Sequence, residues 1–241
     1  MKKAKEYLIF PLDVSTYDEA IRYVELLNEH VGIFKVGLEL FVSVGPKILS
    51  AIKERSDAGI FLDLKFHDIP ATVKGAFLAA GAYGVTFTTV HCDEGKDLLR
   101  SVVENNPSGV KILAITVLTS LDRHNLKDLG YNEKYSADIT ELVMLKARMA
   151  KEAGCSGVVC SGLEVEKVKT ELGKDFIAVT PGIRPQWSVV GKDDQKRIIT
   201  PDQAIKRGAD YIVVGRPIRN AERPAEAAKQ VLNDIEIAIS Q

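Results

Sequence analysis

GIFLDLKFHDIPATV, residues 59–73, decides how this chain is read. It opens as an apolar, β-prone run of the kind that packs on both faces. Yet Asp63 and Lys65 lie inside the run, and Asp68 follows closely. Burying charge is costly unless the charge is paired or put to use. Side chains alternate along a strand, so Asp63 and Lys65 face one way while Leu62, Leu64 and Phe66 face the other. The apolar set then packs against helices, and the charged set lies on the opposite face of the sheet, which in a barrel is its interior near the top.

Seven further apolar, β-branched runs flank this one: 7–14, 33–38, 83–91, 111–118, 157–161, 176–183 and 211–215. Between them lie stretches with helical spacing. In 17–30, Ala20, Ile21, Val24, Leu26 and Leu27 form one apolar face. Thr16 with Glu19 fits a capping box, and Thr200-Pro201 fits an N-cap followed by proline at the first helical position, with Gly208 as a C-cap. A last helix is expected from about Pro224 to Ile239. Strands alternating with helices imply a parallel sheet, and near-continuous apolar strands imply that both faces are covered. Eight such units in 241 residues fit a closed (β/α)8 barrel, an α/β fold of TIM type with a single domain over 1–241. A doubly wound open sheet is the alternative. Two long polar connections, 119–137 and 184–199, follow strand C-termini, the face where barrel active sites lie.

In a barrel, Asp13 at the end of the first strand, Lys35 late in the second, and Asp63 and Lys65 in the third converge on one mouth. Asp68 lies at the turn into a helix beginning near Thr72. Such an array is either a structural ion-pair plug or a site. As a site, it holds a lysine protonated between carboxylates. The ends of the seventh and eighth runs, VTPGIR (179–184) and VVGRPI (213–218), lie where many barrels bind phosphate. There Gly182 and Gly215 let backbone N–H groups approach an anion, and Arg216 adds a forked cation.

Composition narrows the classes of partner. With 32 basic and 33 acidic side chains the net charge is −1, so nothing points to nucleic acid or an anionic membrane. No apolar run reaches the length of a membrane span, and Pro11 and Asp13 interrupt the N-terminal one. Cys92, Cys155 and Cys160 form no CxxC pair and read as buried free thiols of a cytoplasmic protein. No metal is expected, because the four histidines sit in no ligand-spaced cluster. His67 reads as local structure or substrate shaping, and His91 and Cys92 read as core. No glycine-rich nucleotide motif is present, so no organic cofactor is expected.

DLKFHDIPATV closely resembles the signature of the orotidine 5′-phosphate decarboxylase family. The resemblance extends through LDV (12–14), FKVGLEL (34–40), LTS (118–120), TPGIRP (180–185), DDQKRIITP (193–201) and VVGRPI (213–218), with bacterial members as the nearest likeness. It implies conversion of orotidine 5′-monophosphate to UMP and CO2 without metal or organic cofactor. It further implies that Lys35, Asp63, Lys65 and Asp68 form an alternating charge network in which Lys65 is the proton donor. Asp13 would bind the ribose, Thr119 would meet the pyrimidine edge, and Pro181 would lie near the base. Gln195, Gly215 and Arg216 would bind the phosphate. The family pattern is a homodimer in which Asp68 and Thr72 serve the neighbouring site. Two readings compete. One is a Mg2+-dependent sugar-phosphate decarboxylase or aldolase-like barrel, for which Glu39 is the only nearby extra acid. The other is a non-catalytic phosphate-ligand binding protein.

Overall fold

The eight apolar runs form eight parallel strands that close on themselves in chain order. They are β1 (Leu8–Pro11), β2 (Ile33–Gly37), β3 (Gly59–Phe66), β4 (Phe87–His91), β5 (Lys111–Ile115), β6 (Gly157–Val159), β7 (Ile177–Thr180) and β8 (Tyr211–Val213). The computed structural model describes residues 2–188 and 197–240. Closure is made by β8 lying beside β1, with Leu8 opposite Ile212 and Ile9 opposite Val213. Closure leaves no exposed sheet edge.

The helices lie outside. Those of the first half are α1 (Tyr17–Leu27), α2 (Leu38–Val44), α3 (Lys47–Arg55), α4 (Pro70–Ala82), α5 (Lys96–Glu104) and α6 (Arg123–Asp128). The second half adds α7 (Glu133–Ala137), α8 (Ile139–Glu152), α9 (Val165–Leu172), α10 (Pro201–Lys206), α11 (Arg216–Arg219) and α12 (Pro224–Ile239). The Thr16 hydroxyl accepts the Glu19 N–H at 3.3 Å, and α1 buries Ala20, Ile21, Tyr23, Val24 and Leu27. Pro201 opens α10 as expected, but the Thr200 hydroxyl donates to Asp202 Oδ1 at 2.6 Å instead of capping the helix. The expected last helix, Pro224–Ile239, forms as α12. Among the described residues no helix is long and apolar enough to cross a membrane.

Residues 119–137 differ from the plain loop that their polarity suggests, since they contain α6 and α7. Asp122 and Asn125 cap α6 reciprocally, Asn132 caps α7, and Asp138 caps α8. Short polar side chains that pair with free N–H groups start these helices where no apolar stripe announces them.

Two apolar layers stabilise the barrel. The outer one lies between sheet and helices and takes in Leu62, with Leu64 and Phe66 partly buried against it. The inner one fills the barrel with Ile9, Ile33, Phe61, Phe87, Leu113, Val179 and Val213. Phe61 and Phe87 meet edge to face with centroids 5.9 Å apart. Burying side chains of this size contributes about 1.5–3 kcal/mol each. Two residues beyond each of these, the same inward set reaches the C-terminal rim as Pro11, Lys35, Asp63, Thr89, Ile115, Pro181 and Gly215. The period of two thus carries β2, β3 and β4 from an apolar plug to a polar mouth.

β3 departs from that regularity. Leu62 pairs with Thr88 and Phe66 with Val90, so Asp63, Leu64 and Lys65 stand opposite Thr89 alone. Within this bulge Lys65 adopts φ 50°, and it is the one non-glycine residue of positive φ among those described. A left-handed conformation costs a side-chain-bearing residue about 1–2 kcal/mol. Bulges of this kind re-aim side chains and recur beside active sites.

Candidate active site

The barrel mouth opens into a cavity of about 570 Å3 at the C-terminal ends of the strands. Its wall includes Asp13, Lys35, Asp63 and Lys65 on one side, Thr119 and Ser120 on another, and Pro181, Gly182, Gly215 and Arg216 opposite. The predicted charges therefore converge. Lys35 Nζ lies 3.1 Å from Asp13 Oδ1 and 3.6 Å from Asp63 Oδ2, and Lys65 Nζ lies 2.8 Å from that same Asp63 oxygen. Lys35 and Asp63 are buried, whereas the Lys65 side chain keeps 30% of its exposure and reaches toward the opening.

Burial alone would discharge these groups, and their neighbours reverse it. Burial disfavours the Lys35 ammonium, but the Asp63 and Asp13 carboxylates outweigh it and hold its pKa above the ordinary lysine value. Burial likewise opposes charge on Asp63. Lys35, Lys65 and the hydrogen bonds from Lys65 and Thr89 prevail, and its pKa falls below that of a free carboxyl. The site thus holds a fixed cation–anion–cation row in a low-dielectric setting, where electrostatic interactions are stronger than in water.

The opposite wall suits an anion. Gly182 has φ 77°, a conformation natural to glycine alone, and it turns the chain at the end of β7. A Cβ on Gly215 would come within 2.8 Å of Pro11 Cγ, so the β8 end can lie against β1 only without a side chain. Arg216 stands next on the rim. Arg184 and Arg219 also line the cavity, and the Arg219 Nη1 donates to the Asp13 carbonyl. These two arginines were not singled out from the sequence, although Arg184 lies two residues after Gly182 and Arg219 four after Gly215. Glu39 lies at the edge of the cavity and accepts a hydrogen bond from the Ser15 hydroxyl at 2.6 Å.

Asp68 and Thr72 lie elsewhere. Both are exposed on the β3–α4 connection and α4, and neither lines the cavity of its own chain. Asp68 Oδ1 accepts the Ile69 N–H at 2.6 Å. Gln195 falls outside the described residues. The connection that contains it is drawn together at its base, where Arg184 N–H donates to the Ile199 carbonyl at 2.9 Å.

The histidines take roles that the sequence did not disclose. His67 pairs with Glu94 and stacks on His91 with ring centroids 4.9 Å apart. His91 is not simple core packing, because its Nδ1 lies 2.8 Å from Asp93 Oδ2, and Asp93 also binds Lys146 at 2.6 Å. Cys92, Cys155 and Cys160 are buried free thiols, and burial pushes the Cys92 and Cys155 pKa values up to about 12. Among the described residues no group of three or more His, Cys, Asp or Glu side chains is arranged to hold a metal ion.

Comparison with known proteins gives the same region of chemistry. Residues 6–231 match the family described as orotidine 5′-phosphate decarboxylase / HUMPS. An orotidine 5′-phosphate decarboxylase of Desulfosudis oleivorans is 51% identical over 236 residues, covering 98% of this chain and 95% of the relative. The Gloeothece citriformis enzyme of that name is 46% identical over 231 residues, 95% and 97% of the two chains. The crystal structure of the Lactobacillus acidophilus orotidine 5′-phosphate decarboxylase superposes with a TM-score of 0.79 at 35% identity, covering 95% of this chain and 98% of that one.

Proposed function

The chain belongs to the orotidine 5′-phosphate decarboxylase / HUMPS family, and we propose that its rim charges perform that reaction in the roles given below. The enzyme is a carboxy-lyase that converts orotidine 5′-monophosphate to UMP and CO2 in pyrimidine biosynthesis. One observation carries the assignment of roles: two lysines grip one buried carboxylate, and the outer lysine faces the cavity.

Loss of CO2 from C6 of the pyrimidine leaves an electron pair in the ring plane, where the π system cannot delocalise it. The enzyme must therefore stabilise that charge more strongly in the transition state than in the substrate. Lys65 does so. Its ammonium attracts the charge as it localises on C6 and then gives C6 a proton. Asp63 aims Lys65 and stays anionic because Lys35 backs it from the interior. Asp63 also repels the departing carboxylate while that group is bound.

Asp13 takes the ribose hydroxyls, and its pairing with Lys35 fixes its carboxylate. Thr119 meets the pyrimidine edge and Pro181 packs near the base, both from the cavity wall. Gly215, Arg216 and Gln195 hold the phosphate. No metal and no organic cofactor takes part.

The working form is a homodimer in which Asp68 and Thr72 reach the neighbouring cavity. Their exposure and their absence from the wall of their own cavity support this, as does the exposed apolar Ile69 between them. The buried free thiols support a cytoplasmic setting.

The test is loss of orotidylate absorbance on mixing with the purified chain, with and without EDTA. Turnover in both arms is expected. No turnover would overturn the reading, and turnover that EDTA abolishes would favour the Mg2+-dependent sugar-phosphate alternative.

A further inference from the structure

We infer that Thr89 is a positioning residue for decarboxylation, one hydroxyl that fixes both the main chain of Lys65 and the carboxylate of Asp63. The inference rests on the roles proposed above for those two residues.

Thr89 lies on β4, fully buried, and points into the barrel. Its Oγ1 accepts the Lys65 N–H at 2.9 Å and donates to Asp63 Oδ1 at 3.0 Å. A threonine hydroxyl has one proton to give and lone pairs to receive, so one oxygen can serve both partners. The location is where the ladder fails. Opposite Thr89, β3 carries three residues instead of one. The hydroxyl accepts the Lys65 N–H within that break and so replaces a missing ladder bond. It thereby anchors the residue whose φ of 50° is the departure from ordinary backbone geometry.

The second bond completes the carboxylate. Asp63 Oδ2 is taken by Lys65 and Lys35, and Thr89 holds Oδ1. With both oxygens engaged, the carboxylate plane cannot swing. Lys65 is then aimed from its main chain and from its tip by the same contact pair. Thr88, one residue earlier, faces outward and donates to the Leu62 carbonyl at 3.1 Å, so it bonds the near side of the bulge without touching the charges.

The experiment compares Thr89→Val, which removes the hydroxyl, with Thr89→Ser, which keeps it. Hydrogen bonds to charged groups set the expected scale: kcat falls about 10- to 100-fold in Thr89→Val while KM for orotidylate moves less than about threefold. Thr89→Ser restores kcat to within about threefold of the parent on the same scale. An unchanged kcat in Thr89→Val, a loss confined to KM, or a serine variant no better than valine would each overturn the inference. If the valine variant does not fold, Thr89→Cys replaces it, since a thiol is a weak donor and acceptor. The cysteine variant should lose kcat, and full activity in it counts against the inference. Hydrogen exchange at the Lys65 amide reads the main-chain contact without turnover, and it should be faster in Thr89→Val than in Thr89→Ser. Equal rates overturn the inference even if the parent chain were inactive, an outcome that would separately defeat the proposed function.

Discussion

Lys35 and Lys65 direct their ammonium groups at one oxygen, Asp63 Oδ2, from 3.6 and 2.8 Å. The pair differ in setting: Lys35 is enclosed and also held by Asp13, whereas Lys65 looks into the cavity. The inner lysine therefore stabilises charge on Asp63, and the outer one is free to take the role proposed for it toward substrate.

That arrangement has a pH signature. The folded pKa of Asp63 lies below its unfolded value near 4, so its contribution to stability is present above about pH 4 and is lost as pH falls through the folded value. Lys35 has a raised folded pKa. Its contribution is present below about pH 10.4 and disappears as pH rises through the folded value. At pH 7 Asp63→Asn should be less stable than the parent. Their urea midpoints should converge as pH is lowered below about 4. Parallel midpoints across that range would show that Asp63 gains nothing from its lysines.

Lys65→Ala should lose turnover by more than about 10⁴-fold, since it removes together the proposed proton donor and the cation proposed to face the developing charge. The protein should remain folded by circular dichroism. Lys65→Gly should be equally inactive but more stable than Lys65→Ala by about 1 kcal/mol, because glycine tolerates the positive φ at this position. Equal urea stability of the two variants would remove the argument for backbone strain.

Arg216→Ala should raise KM for orotidylate about 10- to 100-fold with a much smaller change in kcat. With the phosphate-free nucleoside as substrate, parent and variant should perform alike. A variant equally impaired on both substrates would mean that Arg216 does not serve the phosphate.

Mixing inactive Lys65→Ala and Asp68→Ala subunits tests the shared site. If Asp68 acts on its neighbour, each mixed dimer regains one complete site and activity returns. Confirmed heterodimers without activity would count against a shared site.

Glu164→Ala should destabilise the fold by about 3–5 kcal/mol. Glu164 Oε1 lies 2.7 Å from Arg197 Nη1 in a buried pair, and Arg197 Nη2 also donates to the Val117 carbonyl at 3.0 Å. Removing the acid strands a buried guanidinium. A urea midpoint unchanged from the parent would contradict this account.

The barrel was legible because its strands are apolar runs of β-branched residues separated by helical spacing, and all eight runs became strands. The charged mouth was legible for a related reason, since Lys35 and Asp63 stand two residues beyond inward-facing Ile33 and Phe61. The bulge was not. Hydrophobic alternation through FLDLKF continues unbroken, and Leu62, Leu64 and Phe66 do face the outer layer. The pattern records which side a residue faces but not how many residues oppose one partner. Thr89 escaped notice because threonine is ordinary in a strand, and its importance comes from what lies across from it. The helices within 119–137 were hidden because caps, and not an apolar face, define them.

The two surplus residues of β3 set a condition for anyone transplanting this chemistry into another scaffold. Copying two lysines and an aspartate onto a regular barrel would reproduce the ingredients on a straight path. The third strand must also take its detour, because the detour carries the amine proposed as proton donor to the cavity.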